Sequence, residues 1–370
     1  ISAVIRPVIP VAHGRKATHG AANGLRHGAQ LRPQGMAART ARRRRHAGEM
    51  HDAPTVSTDR IALAVRGDRN GAIGAECAAL TGSTPDDGGI ATDASIDRIN
   101  RAAYVQRGLQ VLAEGSTFGD LVEQVARRAA DGLDADNFRV DVHDPAGRLE
   151  TTSTQTAIAI ADVLPFYPDL SNPQHEFVVV VGPDRFHFGE VITEADASYR
   201  RHDDKPWTTS SSLDSRFARA LVNLVPDARS ILDPCCGAGA IVLETASLGL
   251  EAFGVDWKPA MAGMTRENLD HFGYDATVVR ADSRTHAQPA DAIVTDLPYG
   301  HAIEGDEDVI RAILGQCAAL APIGVFVASG DISAWLVAAG HTVVGLHTVV
   351  KRRGFTRWIH VTRSRSFDIG

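Results

Sequence analysis

The stretch ILDPCCGAGAIVLE, residues 231–244, decides the fold of the C-terminal half of the chain. Its apolar start predicts a short strand that ends at Asp233, and its later residues predict a helix. Gly237 and Gly239 let the backbone turn tightly and approach a ligand at the helix N-terminus, where N–H groups and the positive end of the helix dipole lie. The third glycine of a dinucleotide-binding fingerprint would fall at Val242, so the stretch disfavours pyrophosphate binding. A glycine-rich turn that binds nothing is the alternative.

Alternating strands and helices continue downstream of this stretch. The apolar periodicity predicts strands at 230–233, 252–256, 277–281, 292–296 and 324–329, and helices at 239–248, 259–272 and 306–320. Such alternation is typical of an α/β fold with a doubly wound, mostly parallel sheet. Two further strands, 341–350 and 355–363, are separated by a short turn and predict a C-terminal antiparallel hairpin.

The region upstream mixes α and β signals. Strands are predicted at 61–65 and 138–142, helices at 72–80 and after a cap at Thr117, and a β-hairpin at 177–192. These signals predict an N-terminal α+β region. The chain therefore divides into a basic tail (1–55), the α+β region (56–195), a polar linker (196–212) and an α/β domain (213–365).

Charge is distributed unevenly along the 370 residues. Residues 1–50 hold ten Lys and Arg and one acid, Glu49, whereas the rest of the chain holds 28 bases and 44 acids. The acidic part contains few Lys and many Asp, which suggests a surface suited to high salt. The basic start predicts a disordered tail or translated sequence upstream of a start at Met36 or Met50. A transit peptide is the alternative, since such peptides are also Arg-rich and acid-poor.

The cysteines and the hydropathy exclude several classes of protein. Cys77, Cys235, Cys236 and Cys317 show no CxxC pair and no His partners at zinc spacing. This pattern predicts reduced thiols in the cytoplasm and no metal site. No apolar run approaches the ~20 residues that a membrane helix needs, so no membrane partner is expected.

Acidic residues stand at the carboxyl ends of four predicted strands. Asp233 suits a ligand that carries an ammonium or sulfonium group, and Asp256 stands where Rossmann-like folds place a carboxylate on ribose hydroxyls. Trp257 can lie against an adenine ring, and Asp282 with Ser283 can hold the adenine amino group. Together they describe a pocket for S-adenosylmethionine. An Asp that merely forms a turn is the alternative at each position.

The fourth carboxylate, Asp296, opens the sequence DLPYG. The exocyclic amine of a nucleobase is a poor nucleophile because its lone pair is delocalised into the ring. A carboxylate and a backbone carbonyl that accept its hydrogens direct the lone pair toward a methyl group. Tyr299 can stack on a base that has left its helix. A strand exit into a turn at Pro298 is the alternative.

The C-terminal hairpin concentrates positive charge in an acidic chain. Lys351, Arg352, Arg353 and Arg357 interleave with aromatic residues, a pattern that suits RNA phosphates and an unstacked base. The sequence therefore predicts an RNA-binding hairpin. A solvated hairpin tip is the alternative.

Several motifs occur in the order found in class I amino-methyltransferases: DPCCGAG, GVDWKPAMAGMTRENL, RADS and TDLPYG. FRVDV, DLSNPQHEFVVVV and FHFGEVI upstream resemble a THUMP domain, an RNA-binding module, at about 95–195. RFARALVNL and RRGFTRWIHV complete a resemblance to the archaeal tRNA (guanine-10-N2)-methyltransferase family. The resemblance covers about residues 60–365 and implies methylation of guanosine 10 in tRNA, to the mono- or dimethylated product.

The resemblance also implies roles for individual residues. The catalytic loop would contain Asp296, Pro298 and Tyr299. Leu297 departs from the family pattern, which usually has Pro there, and Cys236 stands where the family often has Gly or Ala. The residues that would hold S-adenosylmethionine are Asp233, Cys235, Gly237, Gly239, Asp256, Trp257, Asp282 and Ser283.

Other functions remain open from the sequence. The same chemistry can act on another tRNA position, on rRNA, or on adenine N6, although the THUMP-like module favours RNA. A non-catalytic RNA-binding protein with a methyltransferase fold would be expected to have a damaged donor pocket. Val242 and the antiparallel ending disfavour a dehydrogenase. We expect a monomer that binds tRNA, without a metal.

Overall fold

A computed structural model describes residues 59–298, 307–352 and 355–367, with only the backbone of Arg352. The predicted basic tail, residues 1–55, lies outside the described residues. So do Tyr299 and Arg353, which the sequence assigns to the catalytic loop and to RNA binding.

The N-terminal half forms one six-stranded sheet with helices against it. Its elements are β1 (Arg60–Ala64), α1 (Ala72–Thr81), β2 (Ile90–Thr92), β3 (Val105–Gly115), α2 (Phe118–Ala130), β4 (Phe138–His143), α3 (Ser153–Ala161), β5 (His175–Val181) and β6 (Phe186–Glu194). The strand order is β2-β1-β3-β6-β5-β4, with β4 and β5 parallel and the other neighbours antiparallel. A single sheet thus runs through the whole predicted α+β region.

Local capping and apolar packing fix the helices of this half. The Thr117 hydroxyl accepts a hydrogen bond from the Asp120 N–H and caps α2, as the sequence predicts. Helices α2 and α3 bury Leu121, Val125 and Ile160 against Phe177 of β5 and neighbouring aromatic rings. Burial of such side chains contributes roughly 1.5–3 kcal/mol each.

The C-terminal half forms a seven-stranded sheet between helical layers. Its elements are α4 (Ser215–Asn223), β7 (Ser230–Asp233), α5 (Ala240–Ser247), β8 (Glu251–Asp256), α6 (Pro259–Phe272), β9 (Thr277–Arg280), β10 (Ala292–Asp296), α7 (Glu307–Leu320), β11 (Ile323–Ala328), α8 (Ser333–Ala338), β12 (His341–Arg352) and β13 (Phe355–Ser364). The strand order is β12-β13-β11-β10-β7-β8-β9. Strands β7 to β11 pair in parallel, and β13 pairs antiparallel with β11 and β12. The predicted doubly wound sheet with an antiparallel hairpin is therefore confirmed.

The segment 196–212, predicted to be an irregular linker, is partly ordered. It contains the 3₁₀ helix Ser198–Asp204, in which His202 is buried. His202 Nδ1 lies 2.6 Å from Glu244 Oε1, and the Arg219 Nε donates to Glu244 Oε2 at 2.8 Å. Polar residues in this segment therefore form a buried network with α4 and α5, which composition alone does not reveal.

A buried carboxylate joins the two halves of the chain. Glu76 of α1 accepts hydrogen bonds from the backbone N–H groups of Ala103 and Tyr104, at 2.8 and 2.6 Å. It also accepts one from Asn223 Nδ2 of α4, at 2.6 Å. Burial raises the pKa of Glu76. Helix α4, which leads into the C-terminal sheet, is thereby held against α1.

Candidate functional site

A cavity of about 510 Å³ opens at the carboxyl ends of the parallel strands. It lies where the strand order reverses between β7 and β10, the position at which doubly wound sheets bind ligands. Nine of the residues assigned to the site from the sequence line this cavity: Asp233, Cys235, Gly237, Asp256, Trp257, Asp282, Ser283, Asp296 and Pro298.

Asp233 is the most deeply buried carboxylate of the cavity, with 3% of its surface exposed. Its Oδ1 accepts hydrogen bonds from Thr295 Oγ1 at 2.7 Å and from the Cys235 N–H at 3.0 Å. Both hydrogen bonds end on Oδ1, which leaves Oδ2 for a ligand. Burial raises the pKa of Asp233 to about 7, although the two hydrogen bonds oppose this. A cationic ligand group would restore the ionised form.

Asp256 ties the glycine-rich turn to the next strand. Its Oδ2 accepts from the Gly237 N–H at 3.1 Å, and its Oδ1 accepts from the Lys258 N–H at 2.9 Å. Gly237 has φ +54, a conformation that favours glycine. Burial raises the pKa of Asp256. Each carboxylate oxygen keeps a lone pair, so Asp256 can still accept from ribose hydroxyls.

Gly239, which the sequence assigns to the donor site, is not among the residues that line the cavity. It precedes α5 with φ +83, and a Cβ placed on it would come within 2.5 Å of Thr265 Cγ2. Thr265 in turn donates its hydroxyl to the Gly237 carbonyl at 2.8 Å. Gly239 is therefore required for the close packing of the turn on α6, and Gly237 is the glycine that faces the ligand space.

The third strand end differs in character from the first two. Asp282 is half exposed, and the Arg284 guanidinium beside it lowers the pKa of that carboxyl to about 2. Ser283 is buried, and its hydroxyl donates to the Pro234 carbonyl. Trp257 is 68% exposed, which leaves its ring available to stack against a planar group.

Two walls of the cavity were not predicted from the sequence. One is the end of the presumed linker together with the start of the C-terminal domain, where Thr209, Ser211, Ser212 and Leu213 line the cavity. The Thr209 and Ser212 hydroxyls lie 3.0 Å apart and fix this turn. The other is the apolar face of α7, with Ile310 and Ile313 among its residues. The run of hydroxyl residues was the available signal, but its composition is also typical of a linker.

Asp296 ends β10 with its side chain 16% exposed, and Arg357 of β13 lies beside it. Arg357 Nη2 is 4.0 Å from Asp296 Oδ2. The Arg357 guanidinium also lies over the rings of Phe217 and Phe355, at 5.5 and 5.8 Å from their centroids. Arg357 is 7% exposed. Arg357 is therefore a buried part of the hairpin, and its assignment to RNA binding stays a prediction.

Leu297 is the residue that departs from the family pattern. Its N–H donates to the Val327 carbonyl at 2.9 Å, so pairing with β11 extends one residue beyond β10. Its side chain is 3% exposed and packs with Ile313 and Phe326 in the apolar core. A proline here would lack that N–H. The backbone and the core therefore both use leucine at this position.

Lys351, another residue predicted to bind RNA, forms an intramolecular ion pair. Its Nζ donates to Asp214 Oδ2, and Asp214 caps α4 by accepting from the Phe217 N–H at 2.9 Å. Burial opposes ionisation of Asp214, but these hydrogen bonds lower its pKa overall. Lys351 thus ties the hairpin to the beginning of α4.

Two kinds of feature are absent from the part of the chain that the structure describes. No group of three His, Cys, Asp or Glu residues within it is placed to hold a metal ion. Its helices are all too short or too polar to cross a bilayer.

Comparisons with known proteins show what this arrangement is similar to. Residues 201–321 match the family described as "UPF0020: RMKL-like, methyltransferase domain". A tRNA (guanine(10)-N2)-dimethyltransferase of Methanothermobacter thermautotrophicus is 31% identical over 203 residues, which cover 49% of this chain and 60% of that protein. The enzyme of the same name from Pyrococcus abyssi is 29% identical over 178 residues, which cover 45% of this chain and 54% of that protein.

The chain matches only a little over half the length of these curated relatives. The crystal structure of TrmN from Thermus thermophilus aligns with 83% of this chain and 99% of its own, at 19% identity and a TM-score of 0.48. The resemblance inferred from the motifs is confirmed by the family match and the named relatives. The seven-stranded sheet with its antiparallel hairpin has the class I methyltransferase arrangement that the resemblance implies.

Proposed function

We propose that the protein transfers a methyl group from S-adenosylmethionine to the exocyclic N2 amine of guanosine 10 in tRNA. The observation that carries this proposal is the convergence of four strand-end carboxylates, Asp233, Asp256, Asp282 and Asp296, on one cavity. The relatives' printed names supply the base and the position. Because those relatives are named dimethyltransferases, we propose N2,N2-dimethylguanosine as the final product.

The donor side of the cavity fits S-adenosylmethionine by its chemistry. Asp233 is a buried acceptor suited to the ammonium group, and Asp256 and Asp282 are acceptors for ribose hydroxyls and the adenine amine. Trp257 offers an exposed ring for the adenine face. When bound, the donor would supply a methyl group on a sulfonium, and the sulfur would leave with the electron pair of the C–S bond as the guanine nitrogen takes the methyl group.

The acceptor side positions the amine. The Asp296 carboxylate and the Leu297 carbonyl accept the two N2 hydrogens, which returns lone-pair density to nitrogen and aims it at the methyl group. The proton that N2 loses passes to Asp296 and then to water. Pro298 holds Leu297 in an extended conformation, and Tyr299 is proposed to stack on the base.

The N-terminal half supports a role in holding tRNA. The motif resemblance assigns a THUMP domain to about 95–195, and the sheet of β3 to β6 contains those motifs. We propose that this region binds tRNA and places the target base at Asp296. We further propose a monomer that works in the cytoplasm, where the four free thiols would stay reduced.

A tRNA methylation assay tests the proposed function. Unmodified tRNA transcripts are incubated with the protein and S-adenosylmethionine across a series of salt concentrations, and the nucleosides are analysed by mass spectrometry. N2-methylated guanosine that maps to position 10 is the expected result. Absence of any N2-methylated guanosine at every salt concentration would refute the proposal. Methylation at another guanosine would correct the position alone.

A further inference from the structure

Asn268 of α6 joins the glycine-rich turn to the segment that leads into Thr209. Its side chain is fully buried. The Asn268 Oδ1 accepts from the Trp207 N–H at 2.8 Å, and its Nδ2 donates to the Trp207 carbonyl at 3.0 Å. The same Nδ2 donates to the Ala238 carbonyl at 2.8 Å, and Ala238 lines the cavity. One amide therefore fixes two parts of the cavity lining relative to each other.

The glycine-rich turn has other hydrogen bonds that hold it. The Gly237 N–H donates to Asp256 at 3.1 Å, and the Gly237 carbonyl accepts from Thr265 Oγ1 at 2.8 Å. In contrast, the backbone N–H and the backbone carbonyl of Trp207 both bond the Asn268 amide. Removal of that amide is therefore expected to release the segment at Trp207 and to leave the turn in place.

Three hydroxyl groups follow Trp207 and line the cavity. Thr209, Ser211 and Ser212 carry them and form a hydroxyl wall. The Thr209 Oγ1 lies 3.1 Å from Ser211 Oγ and 3.0 Å from Ser212 Oγ. Each hydroxyl has one hydrogen to donate, so three hydrogens serve two contacts within the wall. One hydrogen is thereby left for donation to a ligand.

The hydroxyl wall stands at the end of the cavity where the proposed function places the amino-acid part of the donor. Leu213, the next residue, packs in an apolar cluster with Ile231 of β7 and Ala292 of β10. Asp282, on the adenine side, follows β9, which is two strands and about 10 Å from β7. The amino-acid part carries a carboxylate, which needs hydrogen-bond donors, whereas the carboxylate of Asp233 only accepts when ionised.

We propose that Asn268 is a positioning residue of the donor site, which holds the hydroxyl wall where it donates to the carboxylate of the bound donor. This inference rests on the proposed function and adds a contact at the amino-acid end. The competing explanation is that Asn268 only stabilises the fold. The two explanations differ because only the first confines the effect of Asn268 to ligands that carry the amino-acid part.

Two ligands separate these explanations. S-adenosylhomocysteine and 5′-methylthioadenosine share adenine, ribose and a thioether, but only the first carries the amino-acid part. The Kd of each is measured by calorimetry for the wild type, Asn268→Ala and Thr209→Val, all as the full chain. Leu269→Ala is the matched control, because Leu269 is buried on the same helix and packs with Val242 and Leu243, which are not among the residues that line the cavity.

Asn268→Ala and Thr209→Val should each raise the Kd of S-adenosylhomocysteine by about 10-fold or more, the effect of losing one hydrogen bond to a charged group. The Kd of 5′-methylthioadenosine should change by less than about 2-fold. Leu269→Ala should lower the melting temperature and keep the ratio of the two Kd values. A ratio that stays at the wild-type value in either Asn268→Ala or Thr209→Val would overturn the proposal.

If Asn268→Ala does not fold, Asn268→Ser decides, because serine keeps a polar group and leaves a smaller gap. A rise in Kd confined to S-adenosylhomocysteine supports the positioning role, and an unchanged ratio refutes it. Absence of binding of both S-adenosylmethionine and S-adenosylhomocysteine by the wild type would instead contradict the proposed function.

Discussion

Thr295 donates its hydroxyl hydrogen to Asp233 over 2.7 Å, from the middle of the sheet to the floor of the cavity. The acceptor is Oδ1, which also receives the Cys235 N–H, and an asparagine side chain can keep its oxygen in this place. A neutral amide could fill the same position with the same two donors. An ionised carboxylate here therefore lowers the free energy of unfolding.

Asp233→Asn is expected to stabilise the protein above pH 7. The Asp233 pKa is about 7 in the folded state and near 3.8 when unfolded, so the native state holds an extra proton between about pH 4 and 7. The destabilisation caused by Asp233 therefore increases as the pH rises through that window and is complete above pH 7. Urea unfolding at pH 8 should show a gain on the order of 2–4 kcal/mol, which shrinks at pH 5. Equal or lower stability of the variant at pH 8 would contradict the assignment.

Donor affinity is expected to depend on pH through the same group. A ligand ammonium binds ionised Asp233, so S-adenosylmethionine affinity should fall by up to about 10-fold per pH unit below pH 7. Isothermal titration calorimetry in buffers of different ionisation enthalpy should detect proton release near pH 6.5. The pKa of Asp282 is about 2, so Asp282 contributes nothing in this range. Affinity that stays constant from pH 8 to 5.5 would remove Asp233 from the ammonium site.

Asp296→Asn is expected to separate chemistry from binding. The amide keeps the shape of the side chain but loses the negative charge that accepts the amine hydrogens. Methyl transfer should fall by about 10²–10³-fold, the usual effect of removing one group that stabilises the transition state. The Kd of S-adenosylmethionine should change less than about 3-fold. Asp275→Asn, at an exposed carboxylate, serves as the control. Loss of donor binding in Asp296→Asn would place that carboxylate on the donor side.

Leu297 allows a test of the departure from the family pattern. Leu297→Ala removes buried contacts and should lower the free energy of unfolding by about 2–4 kcal/mol. Leu297→Pro loses those contacts and also the hydrogen bond to the Val327 carbonyl, so it should cost at least about 1 kcal/mol more. Guanidinium unfolding of both variants makes the comparison. A proline variant as stable as the wild type would show that the backbone hydrogen bond is dispensable.

The buried ion pair between Arg219 and Glu244 should contribute far more than an exposed pair. Their side chains are 0% and 1% exposed, so Glu244→Gln leaves a buried guanidinium without its counter-charge. The expected loss is about 3–5 kcal/mol. Glu307→Gln is the matched control, because its pair with Arg311 is exposed, and it should change stability by less than about 0.5 kcal/mol. Similar losses in both variants, measured by thermal unfolding, would contradict this ranking.

The C-terminal sheet could be predicted almost completely from the sequence. Its strands are short, apolar and bounded by Gly, Pro or Asp, so periodicity alone locates β7 to β11 to within one or two residues. Strand β3 was not predicted. Its register shifts after Gly108 and after Val111, and these irregularities break the period of two that marks a strand. Local sequence carries no signal for a strand whose alternation is interrupted.

Part of the candidate site could be predicted from the sequence, and part could not. Carboxylates at strand ends are visible in a linear sequence, because parallel strands bring their carboxyl ends to one edge. The burial of Arg357 depends on β13 lying next to β11 and under α4, which is a long-range arrangement. The sequence shows that residue only as a positive charge. The packing of Gly239 on Thr265 of α6 is equally hidden in the sequence, because the two residues are distant in the chain.

The order found in residues 196–212 sets a practical limit on dissecting the molecule. Starting an isolated C-terminal half at residue 213 would remove His202 from Glu244 and remove one wall of hydroxyl groups from the cavity. Such a fragment would expose Glu244 and Asn268, which now bond His202 and Trp207. A fragment meant to bind the methyl donor by itself must therefore begin before the 3₁₀ helix at Ser198. Residues 196–212, whose composition is typical of a linker, therefore belong to the C-terminal half and form one wall of its cavity.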